Sequence, residues 1–199
     1  MIKPFDKIKC KTIKEGHNPV CIITVKNKRN LLGIELSSGK YILKNIKKEE
    51  ISNKDIELLK SLSNLKLIPK IHLIDEKYII MDYFEGITLS KYLYKYTLSK
   101  NLYLTIKKLI YKWHKLGFAH GDLALLFANK TNKLVGADNL LIGENNSVIL
   151  IDPVIGKIIN SDNIKLSQFN LKKKYDLEFL KELEFYINNP LSNVLKLTM

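Results

Sequence analysis

Apolar positions come in short β-rich runs early in the chain and at helical spacing later. "PVCIITV" (19–25), "LLGIEL" (31–36) and "KYILKNI" (40–46) are apolar and partly β-branched, which predicts strands. The polar break "KNKRN" (26–30) divides the first two, and "SSG" (37–39) predicts a hairpin turn between the last two. Residues 52–63 place Ile56, Leu59 and Leu62 or Leu58 on one face, with Ser52 and Asp55 at capping spacing, so a helix is expected. "LIPKIHLI" and "EKYIIMDYF" are two further strands joined by "DE". The first half therefore reads as a sheet of about five strands with one helix, ending near Asp82.

The second half is mainly helical. "TLSKYLYKY" (88–96) follows Gly86. "NLYLTIKKLIYKWHKLG" (101–117) carries Leu102, Ile106, Leu109, Ile110 and Trp113 on one stripe and stops at Gly117. "NLLI" (139–142) and "SVILID" (147–152) flank "GENN" and predict a hairpin. A polar stretch, 156–174, leads to a last helix over 176–187. No Gly/Ser/Pro linker or internal repeat occurs, yet the composition changes near 84–86. An α+β fold of two lobes, 1–84 and 85–199, is the expectation.

Composition changes this picture little. Hydrophobic residues make up 46% of the 199 and charged residues 27%, which is ordinary for a folded soluble chain. Cys10 and Cys21 lack the spacing of a zinc site or a disulfide framework and read as two reduced thiols. No apolar run approaches a membrane span, and "MIKPFDKIKCK" lacks a signal-peptide core. A cytoplasmic protein is expected, although signal-independent export would leave no trace. The net charge of +13 favours encounters with anions. The chain is also rich in Ile and Asn, as AT-rich coding would make it, and this inflates lysine without a partner. With no aromatic-interleaved basic stripe, nucleic acid is not expected as the main ligand.

The candidate chemistry lies in "AHGDL" (119–123) and "ILIDP" (149–153). Two aspartates on ordered backbone can hold metal and activate a hydroxyl. They can equally be a turn residue and a strand end. With "YILK" (41–44), "IIMDYFEGITL" (79–89) and "DNLLIGENNSVILID" (138–152), they resemble the protein-kinase-like fold from about Lys11 to Ile187. The chain is most similar in style to minimal kinases: RIO-type kinases, the small kinase of the KEOPS complex, lipopolysaccharide kinases and compact bacterial effector kinases. These often write HGD where others write HRD.

The resemblance implies a role for each matching residue. Asp122 would orient the acceptor hydroxyl and take its proton, and His120 would pack structurally. Asp152 and Asn139, thirteen residues apart, would hold magnesium or manganese. Lys44 would pair with the α and β phosphates of ATP, with Glu57, or secondarily Asp55, as its carboxylate partner. Met81 would be the gatekeeper, and Asp82, Tyr83 and Phe84 would offer backbone hydrogen bonds to adenine. Asp176, expected at a helix start, would tie down the catalytic loop. The phosphate loop would be 14–21, where only Gly16 matches the glycine pattern, or 25–30, where lysines would substitute.

Two departures stand out. The metal-binding Asn follows the catalytic Asp by five residues in the family motif, but Asn139 follows Asp122 by seventeen. Asn129 is a rival that lacks a following apolar strand. The residues after Asp152 are Pro153 and Val154, as in the "IDP" of aminoglycoside and fructosamine phosphotransferases. The implied activity is phosphoryl transfer to a protein Ser/Thr, whose substrate could be acidic. The alternatives are a small-molecule or glycan kinase acting on a small hydroxyl acceptor, and a pseudokinase binding module.

Overall fold

The structure is a computed structural model that describes residues 9–14, 19–46, 53–123, 125–128, 133–136, 138–151, 159–160 and 166–188. It is α+β and divides into two compact units, 1–83 and 84–199.

In the first unit, β1 (Lys9–Lys14), β2 (Val20–Val25), β5 (Gly39–Asn45), β6 (Ile71–Ile74) and β7 (Tyr78–Asp82) form an antiparallel sheet. The strand order is β1-β2-β5-β7-β6. Successive side chains point to opposite faces. Cys21, Ile23, Val25, Tyr41, Leu43 and Ile80 thus share one buried cluster. The ladder registers put Val20, Ile22, Ile42, Lys44, Ile79 and Met81 on the other face. One helix, α1 (Asn53–Asn64), buries Leu59 and Leu62. Each such side chain contributes about 1.5–3 kcal/mol when fully buried. Asp75 closes the β6–β7 turn by accepting from the N–H groups of Lys77 and Tyr78, both at 2.7 Å.

The "LLGIEL" strand does not form as expected. Leu32 and Gly33 both have positive φ, 51° and 82°, and make the two-residue turn of a small hairpin, β3 (Arg29–Leu31) with β4 (Ile34–Leu36). The "SSG" segment therefore joins no pair of hydrogen-bonded neighbours, and β5 pairs instead with β2 and β7. Leu31 and Leu36 still reach the core cluster, which explains why the run reads as apolar.

In the second unit, β8 (Gly86–Thr88), β12 (Leu140–Gly143) and β13 (Val148–Leu150) form a three-stranded sheet in the order β13-β12-β8. Helix α2 (Leu89–Lys95) is capped by Thr88 and α3 (Lys100–Lys115) by Ser99, whose Oγ accepts from Leu102 N at 3.2 Å. The stripe of α3 buries Leu102, Tyr103, Ile106, Ile110, Trp113 and His114. Gly117, at φ 79°, ends the helix in the left-handed conformation glycine tolerates. A short pair, β9 (Phe118–Ala119) and β14 (Ile159–Asn160), follows.

Helix α4 spans Leu166–Asn188, ten residues longer at its start than the sequence pattern predicts. Phe169, Phe179, Leu180 and Leu183 are its buried apolar residues. The positions that would continue their stripe between 169 and 179 hold Lys172 and Asp176, so the helical period is broken in the sequence but not in space. The insert of the second half also forms regular structure. It pairs as a hairpin, β10 (Leu125–Ala128) with β11 (Lys133–Gly136).

Candidate active site

The segment after α3 is held from three sides. Ala119 and His120 are buried, and Leu123 anchors the far end with 2% exposure. Between them Gly121 turns at φ 66°. The His120 ring lies 6.0 Å from the Trp113 ring. Asp176, 1% exposed, binds the backbone of this turn. Its Oδ2 accepts from His120 N at 2.9 Å and its Oδ1 from Gly121 N at 2.7 Å. His114 Nε2 donates to the same Oδ2 at 2.9 Å. Asp176 is thus not a helix cap: it sits in the middle of α4, because the carboxylate is needed where the helix passes the loop. His114 does not stand out in the sequence. Its signal is a histidine on the apolar stripe of α3, six residues before His120, where a polar group demands a buried partner.

Asp122 and Asn139 are brought together although they lie seventeen positions apart. The Asn139 amide Nδ2 donates to Asp122 O at 3.1 Å and to Asp122 Oδ2 at 3.3 Å. Two features make this possible. The insert is a hairpin whose outermost pair is Leu125 with Gly136, so the chain returns beside its point of departure. Asn139 is then fixed across the β12–β13 ladder by its own carbonyl, which accepts from Ile151 N at 2.8 Å. Its neighbour Asp138 accepts from Ser90 Oγ on α2. Asp152 and Asn129 lie outside the described residues.

Glycines let the backbone close around this sheet. A Cβ at Gly86 would sit 2.6 Å from Ile142 O and 2.8 Å from the Phe84 ring. One at Gly143 would sit 2.8 Å from the same ring. Phe84 therefore packs where two residues lack side chains.

The expected nucleotide residues are distributed over the first unit. Lys44 is half-buried on β5, opposite Val20 on one side and Ile79 on the other. It shares its face with buried Met81. The loop of the first register leads into Val20, directly beside Lys44, and Asn45 N donates to Pro19 O at 3.1 Å. The second register begins at Val25, which pairs with Gly39, roughly 16 Å along the strand from Lys44. Of the first register, Pro19 and Val20 thus lie next to Lys44 and Asn45, while residues 15–18, Gly16 among them, lie outside the described residues. Glu57 is exposed on α1, whereas Asp55 is half-buried. The Asp82 carboxylate turns to the face opposite Lys44 and meets His72 Nε2 at 2.6 Å. The N–H groups of Asp82 and Tyr83 donate to Lys70 O at 2.8 Å and Lys40 O at 3.3 Å within the unit.

Among the described residues no three His, Cys, Asp or Glu side chains gather into a metal cluster. The donor set around Asp122 is nonetheless suited to a hard cation. With Nδ2 of Asn139 turned to Asp122, its Oδ1 is the remaining amide acceptor, and carboxylate and amide oxygens are what magnesium prefers. The described residues contain no helix long and apolar enough to cross a membrane. No protein-family model matches the chain, and no curated protein is detectably similar to it.

Proposed function

We propose that the chain is an ATP- and magnesium-dependent phosphotransferase of kinase-like fold, acting on a hydroxyl acceptor of the protein Ser/Thr type. The single observation that carries this reading is the Asp122–Asn139 pair, joined by two hydrogen bonds although seventeen positions apart. An ordinary turn and an ordinary hairpin would have no reason to meet. The clamp of Asp176 on the backbone of residues 120 and 121 supports it, since a general base must be held still relative to its acceptor.

In this reading the Asp122 carboxylate orients the acceptor hydroxyl and receives its proton. The acceptor oxygen bonds to the γ-phosphorus. The bond from that phosphorus to the β–γ bridging oxygen breaks, and the diphosphate leaves with the electron pair. Asn139 Oδ1 and the Asp152 carboxylate would hold the metal, which when bound supplies neutralisation of phosphate charge. Lys44 would bind the phosphates beside loop 14–21, and Met81 would line the base-binding face. A small-molecule or glycan acceptor is the second reading, favoured by Pro153, which fixes φ directly after Asp152.

The test is transfer of labelled γ-phosphate from ATP, with magnesium or manganese, to the chain itself, to Ser/Thr peptides and to small hydroxyl acceptors. Asp122→Ala, Asn139→Ala and Asp152→Ala would be run beside wild type. Transfer abolished by Asp122→Ala and Asp152→Ala supports the assignment. Transfer that survives Asp122→Ala refutes the role of that aspartate. Nucleotide-dependent thermal stabilisation without transfer to any acceptor would identify a binding module instead.

A further inference from the structure

Gly121 is packed against a lysine. A Cβ at this position would lie 2.3 Å from Lys172 Cδ, 2.9 Å from its Cβ and 3.0 Å from its Cγ. The aliphatic stem of Lys172 therefore runs along the glycine, and its ammonium is two bonds beyond the nearest stem atom. The Nζ stands 5.7 Å from the centroid of the Tyr175 ring. This is a held cation rather than a freely waving one, because half-burial of the stem and the ring both restrict it. Among the described residues no carboxylate pairs with it. The nearby Lys174 differs, being paired with Glu178 at 3.7 Å. The Lys172 ammonium thus stands beside the residue that precedes Asp122, while the nearby Asp176 carboxylate is engaged by the backbone N–H groups of His120 and Gly121 and by His114.

Gly121 is the enabling residue. Its positive φ and its missing side chain are both needed for Lys172 to lie against the loop. The cation that the loop lacks in its own sequence is thus delivered from α4.

We propose that Lys172 is a specificity-determining anion contact, which selects acceptors carrying a carboxylate or phosphate close to the reacting hydroxyl. The proposal rests on the phosphotransferase reading for the word acceptor, but the anion site stands on geometry alone. An ammonium is a point charge that recognises carboxylate and phosphate alike. Because it lies beside the loop rather than on Asp122, its contribution falls on acceptor binding and hence on KM.

Two measurements test it. The first compares KM for a Ser/Thr peptide flanked by Asp or phosphoserine with KM for the same peptide flanked by Ala. Wild type should show an about fivefold lower KM for the acidic peptide, the scale of one partly exposed ion pair. Lys172→Met should erase the difference, Lys172→Arg should restore it, and Lys108→Met, an exposed lysine on α3, should leave it intact. Equal KM values in wild type, or an equal loss in Lys108→Met, would overturn the proposal while leaving transfer itself established. The second measurement follows the amide resonance of Gly121 during titration with O-phosphoserine, without nucleotide. A saturable shift that disappears in Lys172→Met supports the site even if no acceptor is phosphorylated, in which case the phosphotransferase reading alone falls. A shift that does not saturate, or that persists in Lys172→Met, overturns the site.

Discussion

Replacing Asp176 by Asn changes one atom of a side chain that is 1% exposed and leaves its size unaltered. The carboxylate accepts three hydrogen bonds: from Gly121 N on Oδ1, and from His120 N and His114 Nε2 on Oδ2. An amide has one oxygen. It can keep the Gly121 bond, or the two on the other side, but its NH2 must then face an N–H donor. Hydrogen bonds to a charged group contribute about 1.5–3 kcal/mol each, and a buried donor left without a partner costs about 1–3 kcal/mol. The Asn variant should therefore lose about 2–4 kcal/mol. Asp176→Ala, which strands all three donors, should lose about 3–5 kcal/mol, less than a simple sum because the bonds share one acceptor group. The assay is urea unfolding with an unchanged m value, joined to amide shifts of His120 and Gly121 in the folded variant. His114→Ala should cost less in the Asp176→Ala background than in wild type, since the shared contact is already gone and only the packing of the buried ring remains to be lost. A loss below about 0.5 kcal/mol for Asp176→Asn, with residues 120 and 121 unmoved, would refute the clamp. Phosphoryl transfer by the Asn variant should fall further than its folded fraction does, because the loop carrying Asp122 loses its fixed geometry.

Gly86→Ala should destabilise by about 1–3 kcal/mol in thermal or urea unfolding, because the new methyl would meet the Ile142 carbonyl at 2.6 Å as well as the Phe84 ring. Asn139→Ala should cost about 0.5–1.5 kcal/mol of stability, since it removes the amide's bonds to Asp122, yet abolish magnesium-dependent transfer; the two readouts separate its packing from its chemistry. The Cys10 thiol is pushed up to about 11, first by partial burial of the sulfur and then by its hydrogen bond with Cys21 and repulsion from it. Alkylation of Cys10 by iodoacetamide at pH 8 should accordingly run at least about tenfold slower than that of an unperturbed thiol, and Cys21→Ala should speed it. The sign of the linked stability follows: a folded pKa above the unfolded one means the native state holds the proton longer, so stability declines as pH rises toward 11.

Much of the candidate site is legible in the amino-acid sequence. Asp122 and Asn139 are readable because each adjoins an element with a clear period, the α3 stripe and the β12–β13 hairpin. Their meeting is implied by the resemblance, but how the chain achieves it is not, because nothing in residues 124–136 announces that the insert folds back on itself as a hairpin. The partner of Lys44 is equally unreadable: α1 places Glu57 outward and Asp55 half inward, and two residues on a helix are two different directions.

The sequence by itself determined where the chain alternates and where it coils, so the helices near 53–64, 89–95 and 100–115 and the strands that bury Cys21, Leu43 and Ile80 follow from local period and hydrophobicity. Only the tertiary structure decided that "LLGIEL" bends at Leu32 and Gly33, that α4 begins at Leu166 and that Asp176 faces inward from its middle. The bend is a matter of two positive-φ residues inside an apolar run, and the other two share one physical reason. A periodic pattern reports burial against an apolar neighbour. Lys172 and Asp176 lie on the stripe of α4 that faces the loop, but they are satisfied there by a glycine and by backbone N–H groups, partners that belong to the loop and cannot be read from the helix that needs them.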